Sequence, residues 1–247
     1  MSHSSVRFLS ALLLGALAGT AVAQDAAPKD TVKHLTAVFN LGFVNSSGNT
    51  SVTTLTAGDE VTYKTGAWTI KQVLGYVYGR NDSTETANQL AIGLRGERAF
   101  NARWSIFLGA RFYRDPFAGI AQRYGENIGA LWHSVMAPKD LVDLEAGVGL
   151  TQERSTAAVT DNYTNGRVAL TYKHSWQPKT YFQETAEALT DFSNSKNYRV
   201  NSLTELVAPL SQSIAMRFSY AIAYNNLPQP GFKASDRLLT AGVQLSF

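Results

Sequence analysis

A period of two governs this chain. From Leu35 to Phe247, apolar and polar residues alternate in about a dozen runs, and no amphipathic helical stretch persists among them. The last run is the clearest: Leu239, Ala241, Val243, Leu245 and Phe247 share one face, while Leu238, Thr240, Gly242, Gln244 and Ser246 share the other. A strand that is greasy on one side and hydrophilic on the other suits the wall of a transmembrane barrel. The predicted strands are 35–44, 50–63, 67–80, 87–100, 103–114, 123–136, 140–154, 163–176, 180–192, 198–209, 213–225 and 235–247. Most are longer than the ~9 to 11 residues that cross hydrocarbon at a tilt. The expected fold class is therefore all-β, a transmembrane antiparallel up-and-down barrel of about 12 strands.

Residues 1–23 read as a signal peptide, with Arg7 in a polar start, an apolar run from Phe8 to Ala18, and a small-x-small site at Ala21-Val22-Ala23. The apolar run is well short of the ~20 residues that a membrane-spanning helix needs. Cleavage is expected between Ala23 and Gln24, leaving residues 24–34 as a periplasmic leader and 35–247 as the barrel. The chain has no cysteine, which removes lipidation, disulfides and thiolate metal sites. A hydrophobic share of 45% and a mean hydropathy of −0.13 are too polar for a helical membrane protein, yet they fit a barrel whose wall residues half face a polar lumen. Net charge is only +3, with no basic block, so no nucleic-acid partner is expected. No cofactor and no metal site are expected either.

Connections set the topology. Tight turns are expected at 64–66, 101–102, 137–139, 177–179 and 210–212. Longer polar segments are expected at 45–49, 81–86, 115–122, 155–162, 193–197 and 226–234. This alternation predicts a bacterial outer-membrane location with both termini and the tight turns in the periplasm. A soluble β-sandwich has no reason for such a regular rhythm. Asp115-Pro116-Phe117-Ala118-Gly119 reads first as a surface turn and second as a fold-back over the mouth.

Faces separate lipid from lumen. Trp68, Ile70, Leu74, Tyr76 and Tyr78 share an uncharged face, as do Trp104, Ile106, Leu108, Ala110 and Phe112. A Lys or Arg there would cost ~2 to 4 kcal/mol at the bilayer midplane. Opposite faces carry Lys71, Arg95, Glu97, Arg111, His133, Asp143, Glu145, Arg167, Lys173, Glu187 and Arg217, which are assigned to the lumen. Turn-based registers place His133 opposite Asp143 and Glu145 near Lys173, as compensating pairs. Asp59 and Glu184 fall among apolar residues, so the faces of the second, ninth and tenth strands stay open. Phe247 reads as an assembly signal at the lower aromatic girdle.

Chemistry is sparse. In His133-Ser134 and His174-Ser175, strand neighbours point to opposite faces, so neither pair can relay a proton on one side of the wall. No enzyme is expected.

Ser47-Gly48-Asn49-Thr50, Arg114-Asp115-Pro116-Phe117-Ala118-Gly119-Ile120 with Arg123, and Gly147-Val148-Gly149 followed by Gln152-Glu153-Arg154 together resemble the salt-induced outer membrane protein family, domain of unknown function 481. Gly129-Ala130-Leu131-Trp132 departs from that pattern, with Leu where a second glycine is expected. The resemblance implies an outer-membrane barrel linked to salt or osmotic stress, and supplies no catalytic residues. The expected function is a non-catalytic envelope or stress-response component with a charge-filled lumen. The alternative is a narrow diffusion channel for small solutes or ions, and the remote alternative is an outer-membrane lipid hydrolase. Expected partners are outer-membrane lipid and lipopolysaccharide, the barrel assembly machinery, and small solutes or ions.

Overall fold

Alternating side chains commit each segment to a pleated strand, and the computed structural model arranges twelve of them into one wall. It describes residues 34–46, 52–177 and 179–247. The expected signal peptide, the expected cleavage between Ala23 and Gln24, nearly all of the expected leader and the Ser47-Gly48-Asn49-Thr50 segment lie outside the described residues. The strands are β1 (Leu35–Ser46), β2 (Val52–Thr65), β3 (Trp68–Asn81), β4 (Thr84–Ala99), β5 (Trp104–Asp115), β6 (Ile120–Met136), β7 (Asp140–Ser155), β8 (Thr160–Gln177), β9 (Thr180–Asp191), β10 (Tyr198–Pro209), β11 (Ile214–Asn225) and β12 (Ser235–Ser246).

Each strand pairs antiparallel with its sequence neighbours, and β12 returns to β1 to close the barrel. The closing ladder sets Val38 to Gly42 against Ser246 to Gly242. Phe247 extends it, donating its N–H to the Ala37 carbonyl at 3.0 Å. Closure has a simple cause: in lipid an unpaired edge leaves each N–H and C=O without a partner.

Local chemistry ends the strands. Gly66 takes φ +55 between β2 and β3. Between β4 and β5 the Asn101 carboxamide oxygen accepts from the N–H groups of Arg103 and Trp104 at 2.8 and 3.0 Å, a side-chain turn of the kind Asn favours. At the opposite end the connections are shorter than the sequence predicts. β3 and β4 are joined by Asp82 and Ser83 alone, and β7 and β8 by residues 156–159. Polar residues such as Thr84, Thr160 and Asn162 continue the ladder there, because backbone pairing does not require an apolar side chain. Two connections at that end stay long, residues 192–197 and 226–234.

Outward side chains form an apolar belt between two aromatic rows. Near the tight turns Trp104 stacks on Trp132 at 5.9 Å and Phe39 meets Phe247 edge-on at 6.2 Å. Towards the other end Phe112 tilts on Tyr124 at 5.2 Å and Tyr198 on Tyr224 at 6.0 Å. Ile106 and Leu108 lie exposed between the rows.

Candidate functional site

The interior begins with a bare patch of wall. On β6, a Cβ at Gly129 would lie 2.6 Å from Phe107 Cζ and 2.8 Å from the Gly147 Cα of β7. Only hydrogen fits there, and the vacated space lets the Phe107 ring lie against the backbone from inside the lumen. Phe107 is 1% exposed, and Leu131, at the position where a glycine was expected, is buried at 3%. The Arg95 guanidinium covers the free side of the ring at 3.9 Å, and Arg167 approaches it at 5.5 Å. A cation over an aromatic face contributes ~0.5 to 2 kcal/mol, the larger figure where water is excluded.

On this platform the charges link into a chain across the lumen. Lys71 on β3 meets Glu97 on β4 at 3.4 Å, and Glu97 accepts from Arg95 at 2.7 Å. Arg95 then reaches Glu145 on β7 at 2.9 Å. Glu145 holds Arg167 on β8 at 2.5 Å, and Arg167 holds Glu187 on β9 at 2.7 Å. Arg111 on β5 meets Glu187 at 3.4 Å, and Asn201 on β10 donates to the same carboxylate at 3.1 Å. Arg95 to Glu145 spans three strands and Arg111 to Glu187 spans four, so these are chords through the interior. They brace the β4–β9 arc of the wall.

The other assigned residues sit around this brace. His133 Nδ1 lies 2.7 Å from Asp143 Oδ1 in the β6–β7 hairpin. Arg217 on β11 pairs with Glu205 on β10. The expected neighbourhood of Glu145 and Lys173 does not form. The β7–β8 register sets Glu145 against Ala169 and Leu141 against Lys173, and Lys173 Nζ rests 3.9 Å from the Tyr181 ring centroid. Sequence reading passes over Phe107, Arg199 and Glu205, and takes Arg123 and Glu153 only as parts of the family-like motifs, with no place in the lumen. All lie on the polar-side parity of their strands, a signal that was present but outshone by the apolar faces.

A cavity of about 960 Å³ remains beside the brace. Glu60, Lys71, Lys173, Gln183, Glu205 and Arg217 line it; Lys64 lies towards the tight turns, Gln89 and Leu238 towards the other end. Above it the mouth is partly roofed. Asp115 caps a 3-10 turn, Pro116–Ala118, by accepting from the Phe117 and Ala118 N–H groups at 3.1 and 3.2 Å. Gly119 follows at φ +78, so close to Phe232 that a Cβ would stand 2.8 Å from its ring. Gln229 from the same β11–β12 connection donates to Glu153 at 3.2 Å, and Glu153 holds Arg123 at 2.6 Å. Loops from distant arcs of the wall thus meet over the lumen, and Asp115-Pro116-Phe117-Ala118-Gly119 is part of that roof.

The open faces of β2, β9 and β10 resolve from the register. Asp59 pairs with Phe39, whose ring meets Phe247 in the outward aromatic row, and Glu184 alternates with Gln183, which pairs with the inward Glu205, so Asp59 and Glu184 lie on the outward side. Glu184 accepts from the Ser202 and Thr204 hydroxyls at 2.7 and 2.5 Å. These polar groups were what made the strands ambiguous. Serine and histidine neighbours stay apart as well. The Ser134 hydroxyl donates to the Val142 carbonyl at 3.0 Å while His133 serves Asp143, and His174 lies 2.7 Å from Asp140.

A family model described as "Protein of unknown function, DUF481" matches residues 39–247. The chain belongs to that family. No curated protein matches it. Among solved structures, the NanC porin is similar to this DUF481 barrel with a TM-score of 0.51 at 10% identity, over 85% of this chain and 97% of that one. The translocator domain of the autotransporter NalP from Neisseria meningitidis gives a TM-score of 0.44 at 14% identity, over 86% of each chain. At 10% identity the likeness to the NanC porin concerns fold alone: a closed β-barrel like that of an outer-membrane porin.

Proposed function

We propose that this DUF481 barrel is a non-catalytic outer-membrane diffusion path for small hydrophilic solutes or ions, with termini and tight turns in the periplasm. One observation carries the reading: a charged and polar cavity of about 960 Å³ persists beside the ion-pair brace. A liquid water occupies ~30 Å³, so the space suits a hydrated ion or a small solute and excludes a folded polypeptide. The brace then has a mechanical role. It holds one arc of a thin wall in shape and leaves the other arc free to line a passage.

A charge-filled envelope component that passes nothing is the second reading. It is favoured by the chords from Arg95 to Glu145 and from Arg111 to Glu187, which cross the interior. The link to salt or osmotic stress implied by the resemblance fits either reading. Contact of the outward belt with lipid and lipopolysaccharide, and recognition of Phe247 by the barrel assembly machinery, belong to the same proposal.

Planar-bilayer recording of the refolded protein separates the two readings. Discrete current steps that change in Arg217→Gln, whose guanidinium lines the cavity, support the diffusion path. A protein that inserts, shown by its heat-modifiable migration on a gel, yet carries no current above background leaves the filled-barrel reading in its place.

A further inference from the structure

The seam that closes the barrel is paired along only part of its length. β12 pairs with β11 from Ser235 to Leu245, but with β1 only from Gly242 to Ser246. β1 pairs with β2 from Leu35 to Ser46, but with β12 only from Val38 to Gly42. Carrying that register on would set Phe43 to Ser46 against Ala241 to Leu238, and there the ladder stops. In an antiparallel pair every second residue turns its N–H and C=O to the same neighbour. Phe247 and Ala37 bond to each other across this seam, so Leu239, Ala241 and Phe43 turn theirs the same way, with no ladder partner among the described residues. The unpaired stretch lies at hydrocarbon depth, between Ser235, which pairs with Tyr224 of one aromatic row, and Phe247 of the other. Leu239 is 72% exposed there, more than any other large apolar side chain among the described residues.

Behind the unpaired edge lies the lumen cavity, lined on this side by Asn40, Thr56, Ser219 and Thr240. A smaller pocket at the last rung, where Gly42 faces Gly242, reaches both sides of the wall: inward Asn40, Thr56 and Thr240 border it, and so do outward Leu41 and Val243. Beside it the Asn40 carboxamide oxygen is buried with no hydrogen-bond partner among the described residues. Backbone left unpaired at hydrocarbon depth is tolerated where it lines a polar passage, since each unsatisfied group in lipid is costly. We propose that the β1–β12 seam beyond Gly42 and Gly242 is a lateral portal between the cavity and the membrane, and that it takes neutral single-chain amphiphiles. Hydroxyls and an amide on the inside suit an uncharged headgroup that donates and accepts, while Leu41, Phe43 and Leu239 on the outside suit an apolar chain. Charged groups stand at the margins: Glu205 holds Arg217, and Asp236 and Arg237 follow Leu238 towards the start of β12. The inference rests on the diffusion-path reading for the use of the cavity, and adds a sideways exit to it.

Monodecanoylglycerol, with one chain and an uncharged headgroup, is the probe. The full barrel is reconstituted in phosphatidylcholine nanodiscs with a polarity-sensitive fluorophore on Leu239→Cys, in a chain that has no cysteine of its own. Titration should give a saturable shift. The same label on Leu108→Cys, where β5 is paired on both sides, should report only the linear drift of partition into lipid. Asn40→Leu combined with Thr240→Val should weaken the saturable response ~10-fold, the scale of two lost hydrogen bonds. In unlabelled protein, amide exchange should be faster at Leu239 and Ala241 than at Val243 and Leu245, which pair with β1. Equal shifts at the two labels, an unchanged response in the double variant, or equal protection of the four amides overturns the portal. Heat-modifiable migration on a gel shows that each variant is folded. Neither measurement needs ion flow, so a saturable response without bilayer current would keep the portal and remove the diffusion path, whereas current without a response would do the reverse.

Discussion

Substituting Glu145 by glutamine keeps the side chain's volume and removes the charge at the centre of the brace. Glu145 accepts from Arg95 at 2.9 Å and from Arg167 at 2.5 Å, and all three side chains are at most 20% exposed. A hydrogen bond to a charged group contributes ~1.5 to 3 kcal/mol, and two are affected. Neither arginine is stranded, since Arg95 keeps Glu97 and Arg167 keeps Glu187, each at 2.7 Å. The glutamine oxygen also retains one weaker bond. The cost should therefore fall below the ~3 to 5 kcal/mol of a buried pair broken outright, at about 2 to 3 kcal/mol. Equilibrium urea unfolding in detergent, followed by tryptophan fluorescence, should show it. With a slope of about 1 to 3 kcal/mol per molar, the midpoint falls by roughly 0.7 to 3 M. A cycle with Arg95→Gln should give a coupling of ~1 kcal/mol or more, since the two residues touch. An Arg95 and Glu145 pair whose single substitutions cost under ~0.5 kcal/mol each and add without coupling would refute the brace.

Gly129→Ala should destabilise the barrel by ~1 to 3 kcal/mol, because its Cβ meets the Gly147 backbone as well as the Phe107 ring and the wall has no room to yield; the same urea assay reads it, and a neutral result would mean that Phe107 does not lie on the wall. The roof is tested by Glu153→Cys with Gln229→Cys. In a chain without native cysteine the pair, whose native side chains meet only at their tips, should be bridged by a short bis-methanethiosulfonate reagent that spans the gap. Bilayer current should drop and return when reductant cuts the link. A link that forms without changing the current would detach the roof from passage.

The barrel was readable because its signal is local and repeated. Each outward face, such as Trp104 to Phe112, reports directly on one strand, and a slip of one residue would send every side chain to the wrong side. The pair of His133 and Asp143 belongs to the same class, since a hairpin of three linking residues leaves little choice of register. Reading became unsafe one step further out. Glu145 and Lys173 were matched across a loop whose strands run on further than its polar sequence implies, so the expected contact was displaced to Ala169 and Leu141. Asp59 and Glu184 blurred their strands because a polar residue on an outward face imitates the inward pattern. For Glu184 the explanation, hydroxyls from Ser202 and Thr204, lies on another strand.

What the chain alone determined is the wall: strand number, the two faces, closure between its first and last strands, and a charged interior. These follow from side-chain alternation and from the need to pair every backbone group in lipid. Tertiary structure alone decided how the interior is filled. Arg95 meets Glu145 and Arg111 meets Glu187 across three and four strands, distances set by barrel curvature and by the space that Gly129 leaves for Phe107. No neighbour relation in the sequence encodes a chord.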